Sequence, residues 1–293
     1  MFVPRASNPP VGILLMLLAT VFIAGTRLLA KTVGTGVLGA KLHPLQVSHG
    51  RFLFAFGAIS TAALILRPRF QRPDWRLHAL RSAFGWAGVT LMFAAVAFIP
   101  LSDATAISFL NPVFAMLLAI PLLGERVGRV RWSAAAIALA GALILLRPGP
   151  DSFQPAALLA LSAALLLGVE IICIKKLSGR EPAFQILLIN NAIGLTISTL
   201  AVLPVWQMPT GAQWAALAGI GVLMASAQVC FVNSVARADT SLVVPFSYAT
   251  LVFATLYDFA LFGVVPDAIS IVGAMVIIAG AALLAWREAR VRS

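Results

Sequence analysis

Ten apolar runs, separated by short breaks of Pro, Gly and charge, span most of the chain. They are 11–30, 47–66, 80–98, 104–122 and 132–146, then 155–174, 183–203, 214–235, 241–262 and 268–286. Most match the roughly 20 residues a helix needs to cross a bilayer. None shows the short alternating segments of a membrane β-barrel. Helix is therefore predicted for each run, because an open sheet edge cannot sit in lipid. The expected fold is an all-alpha polytopic membrane protein with ten transmembrane helices.

The pattern also repeats. GWAGVTLMFAAVAFIPLSD (85–103) faces GVLMASAQVCFVNSVARAD (221–239) at one constant offset. LLGERV then faces LFGVVP, and HPLQVS from His43 faces EPAFQI from Glu181. Each half, 1–150 and 151–293, holds five runs. An odd number forces the second half to enter from the opposite side, which makes two inverted five-helix repeats. Inverted repeats are the architecture of many alternating-access carriers.

Composition agrees with a lipid-facing chain. Of 293 residues, 61% are hydrophobic and only 11% charged, against roughly 25% charged in soluble domains. The net charge of +11 would suggest nucleic acid in a soluble chain, but here the charges cluster in the breaks. With the N-terminus inside, 16 Lys and Arg fall on the inner side and three, Lys31, Lys41 and Arg147, on the outer. Arg27 and Arg51 lie within runs. The positive-inside rule then places both termini in the cytoplasm. The first run has no clear cleavage site and reads as a retained helix. Cys173 and Cys230 both fall in apolar runs and read as packed thiols rather than a disulfide.

The order and duplication of ATAISFLNPVFAMLLAIPLLGERV, WSAAAIALAGALILL and VVPFSYATLVFATLYDFALFGVVPD resemble the EamA-type ten-helix permeases of the drug/metabolite transporter superfamily. The resemblance implies an inner-membrane secondary carrier with a central cavity lined by runs 1 to 4 and 6 to 9. Relatives of that type move amino acids, nucleotide-like metabolites, S-adenosylmethionine, riboflavin, sugars or drugs, some by exchange or proton coupling. No cofactor is implied. One departure is visible: the first repeat has Gly124-Glu125 at its hinge and the second Gly263-Val264. That leaves the second hinge to packing alone.

Charges in lipid-spanning runs are costly and mark function by default. Arg27 and Arg51, both expected toward the outer side, would attract a carboxylate or phosphate through the guanidinium fork. Asp258 would pair with one of them, as a coupling or gating group. The alternative is a fixed ion pair or snorkelling to the interface. Glu170 is a candidate proton site, against a structural pair with Lys175 or Lys176. Asp103 and Asp239 read as helix N-caps. Pro112 should bend the fourth run after Asn111, and Pro245, Ser247 and Tyr248 make the matching break in the ninth. Asn111, Asn190, Asn191, Gln228 and Asn233 put amides at membrane depth, where they need partners or water. Trp86, Phe93 and Tyr248 would stack on a flat substrate, although packing is the commoner role.

His43, His49 and His78 show no metal-ligand spacing. No phosphate-binding Gly loop with a following Lys is present, and no catalytic triad is arguable, so an enzyme is not expected. The expected partners are a small-molecule substrate and the bilayer, with no nucleic acid; nothing selects an oligomeric state. The expected function is transport of a small polar metabolite, flavin, nucleotide-like or amino-acid-derived. The alternatives are a proton-coupled drug or toxic-metabolite exporter and a non-transporting scaffold or sensor.

Overall fold

A computed structural model describes residues 8–123, 128–146, 154–178, 180–235, 237 and 244–292. The chain is an all-α polytopic membrane protein. Its helices are α1 (Pro9–Thr35), α2 (Pro44–Leu66), α3 (Trp75–Val96), α4 (Leu101–Ser108), α5 (Asn111–Leu123) and α6 (Arg129–Leu146). There follow α7 (Pro155–Ser178), α8 (Ala183–Val202), α9 (Gly211–Val235), α10 (Ala249–Phe262) and α11 (Ala268–Arg292). Among the described residues, seven segments are long and apolar enough to cross a membrane, and three apolar helices are shorter.

Helix starts depart from the hydropathy edges because polar caps set them. Asn8 accepts the Val11 N–H at 3.3 Å ahead of Pro9 and Pro10, and Asp74 accepts Leu77 N–H at 3.2 Å. Pro at the first position costs no hydrogen bond, so α2 opens at Pro44, behind His43. The fourth run is two helices. The chain breaks at Phe109 and Leu110, and Asn111-Pro112 restarts it as α5. The ninth run begins as a 3-10 turn, Val244–Tyr248.

Two expectations need correction here. Asp103 is not an N-cap: Pro100 holds that position, and Asp103 sits buried in the first turn, accepting from Ser270 at 3.1 Å. The Gly263 hinge is not held by packing alone. Gly263 takes a left-handed φ of 63°, and its N–H bonds back to Phe259, the usual glycine stop of a helix. Glu125 and Asp239 lie outside the described residues.

The main helix pairs are α6 with α11, α1 with α9, and α3 with α7; α2 packs on α8 and α9, α5 on α7, and α1 on α10. Small residues let α6 and α11 meet backbone to backbone, as membrane helices favour. A Cβ on Gly141 would lie 2.7 Å from Ile277 N, and one on Gly280 only 2.5 Å from Ala138 N. Gly280→Leu should therefore force the pair apart and cost about 3 kcal/mol. The measurement is a thermal melt in detergent, where an unchanged midpoint would show that the crossing tolerates bulk.

Candidate functional site

Polar side chains gather at three levels of the bundle: near its middle, and at each of the two ends where helices are joined. The middle is indexed by contacts between helices. Thr90 on α3 donates to Ser48 on α2 at 2.8 Å. Arg81 on α3 donates to the Ile186 carbonyl on α8 at 3.0 Å and approaches Glu170 on α7 at 3.4 Å. Gly221 on α9 lies against the Arg51 carbonyl, and Gly168 on α7 against the Asn111 carbonyl.

At about 1.5 Å per helical residue, these rungs put Arg51, Trp86, Asn111 and Asn190 within about one helical turn of a common level. Gln228 lies about 10 Å nearer the C-terminal end of α9. All five carry a buried polar atom without a hydrogen-bond partner among the described residues: Arg51 Nε and Nη1, Trp86 Nε1, Asn111 Oδ1, Asn190 Oδ1 and Gln228 Oε1. Buried polar groups are normally paired, so the four at this level mark the layer; Ser60, His78, Arg81, Ser82 and Asn191 also carry such atoms. Arg51 also stacks on its neighbour Phe52, 4.2 Å from the ring centroid. Glu170 and Arg81 both act on Arg51 electrostatically.

The remaining candidates are placed differently. Arg27 bonds to hydroxyls on α4, Thr105 at 2.8 Å and Ser108 at 3.1 Å. Phe93 is 3% exposed and belongs to the apolar core, so its ring has no free face to stack on a ligand. Tyr248 packs edge-on against Phe109, 5.0 Å between centroids. Asp258 does not pair with Arg27 or Arg51. It holds Lys31 of α1 and accepts the Leu101 N–H, because Lys31 is one turn further along α1 than Arg27. Glu170 meets Arg81 of the adjoining α3.

Three buried polar residues carry little mark of their role in the sequence. Lys31 and Arg81 looked like loop charges and are buried helix residues. His78 looked isolated; it is fully buried and bonded to Glu181 at 2.8 Å. At this end Glu181 also accepts the Asp74 N–H at 2.8 Å and Gln185 Nε2 at 2.6 Å. Burial alone would raise the Glu181 carboxyl, but the bonds from Asp74, His78 and Gln185 outweigh it and hold its pKa below the usual value. Gln185 grips the Gln71 backbone twice, taking its N–H at 2.7 Å and donating to its carbonyl at 3.1 Å.

The opposite end has the same device. Gln46 donates to the Gln207 carbonyl at 2.6 Å and accepts the Gln207 N–H at 3.2 Å. In each case a glutamine amide, a few residues after the proline that opens its helix, mimics a peptide group against a connection in the other half of the chain. The repeated HPLQ and EPAFQ segments were the available signal.

A family model for the EamA-like transporter family matches residues 10–147 and again 154–286. The chain belongs to the EamA-like transporter family. This EamA-like chain is 33% identical over 224 residues to a riboflavin transporter of Vibrio cholerae, covering 76% of this chain and 74% of that one. It is 34% identical over 240 residues to a riboflavin transporter of Rhizobium johnstonii, covering 82% and 79%. It is 25% identical over 274 residues to an S-adenosylmethionine uptake transporter of Rickettsia bellii, covering 90% and 91%. A crystal structure matches its fold with a TM-score of 0.64 at 22% identity, over 98% of this chain and 100% of the other. Small-molecule transport across a membrane is the work of this EamA-like family, a transporter class rather than a class of enzymes.

Proposed function

We propose that this EamA-like protein carries riboflavin or a close flavin analogue across the inner membrane by alternating access through the Arg51 layer. The scaffold in this reading is ten spans in two inverted five-helix repeats, 1–150 and 151–293, with both termini cytoplasmic. Three observations support it. The family model matches twice along the chain. Helix pairs answer one another across the halves, α1 with α9 as α3 with α7, and α1 with α10 as α5 with α7. The connection after Arg67 meets the one after Arg180 at one end of the bundle, as antiparallel halves require.

The observation that carries the substrate is the set of unpartnered polar atoms at mid-depth. Arg51 and Trp86 offer N–H donors, and Asn111 and Asn190 offer amides that present donors or acceptors. A flavin ring pairs an apolar benzenoid end with an imide edge of alternating C=O and N–H groups. Such a molecule satisfies donors and amides together and brings no net charge. The riboflavin-transporting relatives favour the same class.

Charge argues against the alternatives. At the layer itself Arg51 and Arg81 face one acid, Glu170, which disfavours a cationic sulfonium such as S-adenosylmethionine. Two arginines bear on Glu170, so neutralising it would leave buried cations uncompensated. That favours a fixed counter-charge over a cycling proton site. In this arrangement the Gln46 and Gln185 clamps act as latches, one at each membrane face, and both are closed in the present structure.

Counterflow of labelled riboflavin in proteoliposomes tests the reading. Saturable exchange, stimulated by unlabelled riboflavin inside and not by S-adenosylmethionine, is expected. Exchange driven by S-adenosylmethionine alone would move the protein to that class, and no exchange of either by monodisperse protein would overturn the proposal.

A further inference from the structure

The α2–α3 connection changes character abruptly along its length. Leu64, Ile65 and Leu66 are 77%, 76% and 68% exposed at the end of α2. Immediately afterwards come Arg67, Arg69, Arg72 and Arg76, all exposed, with Phe70 and Trp75 exposed between them. Such an abrupt change from bare aliphatics to arginine and aromatic rings is the composition of a hydrocarbon-to-headgroup boundary. None of the four arginines makes an ion pair among the described residues. The one acid in the segment, Asp74, caps α3 and faces Arg180 at 3.7 Å.

The backbone beneath these side chains is held. Arg67 closes α2 in a left-handed turn with its N–H on the Ala63 carbonyl at 2.8 Å. Pro68 and Pro73 restrict the segment, Gln185 grips Gln71 at both peptide groups, and Glu181 takes the Asp74 N–H. A pinned backbone lowers the entropy lost when its side chains bind.

We propose that this connection is a binding surface for anionic phospholipid, with Arg67, Arg69, Arg72 and Arg76 gathering headgroup phosphates while Phe70 and Trp75 enter the interfacial region. The surface is separate from the Arg51 layer, and it stands whether or not the substrate is a flavin. Clustered arginines beside a spanning helix are what anionic headgroups select. Because the same segment is gripped by Gln185 and Glu181, bound lipid rests directly on the closed end of the bundle.

Native mass spectrometry of the full chain from detergent, titrated with phosphatidylglycerol or phosphatidylcholine of the same acyl chains, reads the proposal. Phosphatidylglycerol adducts should dominate, and R67Q/R69Q/R72Q/R76Q should weaken them at least about tenfold. The quadruple Lys variant should retain most of the binding, and inorganic phosphate at equal concentration should not displace the lipid. Should the quadruple Gln variant fail to fold, R67Q/R69Q and R72Q/R76Q, each expected to lose about threefold, carry the test. Equal retention of both lipids, or full retention of phosphatidylglycerol by the Gln variants, overturns the proposal. Displacement by free phosphate also overturns it, assigning the surface to a soluble anion.

Discussion

In a flavin carrier working through the proposed Arg51 layer, Arg51→Ala should reduce riboflavin counterflow about 30-fold or more, with a matching loss of affinity in a flavin-fluorescence titration. The reason is that Arg51 is 4% exposed, yet its Nε and Nη1 have no partner among the described residues. A charged hydrogen bond to a ligand contributes about 1.5–3 kcal/mol, and each 1.4 kcal/mol is about tenfold in affinity. Folding should be little affected, because Glu170 keeps Arg81 as its partner. Arg51→Lys should fall between, since an ammonium keeps the charge and loses the planar donor set. Wild-type affinity in the alanine variant would remove Arg51 from the binding layer.

The second large effect is expected from Glu181→Ala. It strips the partner from buried His78 and from the Asp74 N–H, and leaves Gln185 Nε2 with only the Gln71 carbonyl. Orphaning such groups costs about 1–3 kcal/mol each before relaxation, so the closed end should open. Cys173 on α7 reports this: it is 6% exposed and lies three residues beyond Glu170 toward that end. In a Cys230→Ser background, maleimide labelling of Cys173 should rise at least about tenfold in Glu181→Ala. Gln46→Ala, which loosens the opposite end, should not raise it. Equal labelling of wild type and Glu181→Ala would mean that the clamp does not control access. The pH dependence follows the same group. Glu181 is held below its ordinary value of 4.5, so the clamp is at full strength above that pH and is lost as pH falls below it.

Much of this was legible along the chain. Helix was dictated by lipid, since runs such as 155–174 have no other way to satisfy their backbone. The duplication was visible in the Gly85 and Gly221 segments. Arg51, Trp86, Asn111, Asn190 and Gln228 stood out as polar residues in apolar runs, and all five carry unpartnered buried atoms. Phe93 lies in the apolar core, and an aromatic ring at helical spacing carries no mark of whether a core or a ligand covers it. Asp258 pairs with Lys31 rather than with Arg27 or Arg51, a choice hidden in the sequence for a related reason. Its attraction to a cation was certain, but Lys31, Arg27 and Arg51 were indistinguishable until α10 was laid against α1.

The amino-acid sequence by itself determined the solvent, the secondary structure and the polar residues that need explaining. These follow from local quantities: hydropathy over one span, a cap, a proline, a charge in an apolar run. Only the tertiary structure decided which of those residues face one another, that Gln46 and Gln185 grip opposite ends, and that His78 and Glu181 form one buried unit. Those pairings join residues more than a hundred positions apart, and the rotation and depth of each helix, which choose the partner, are set by packing across the bundle.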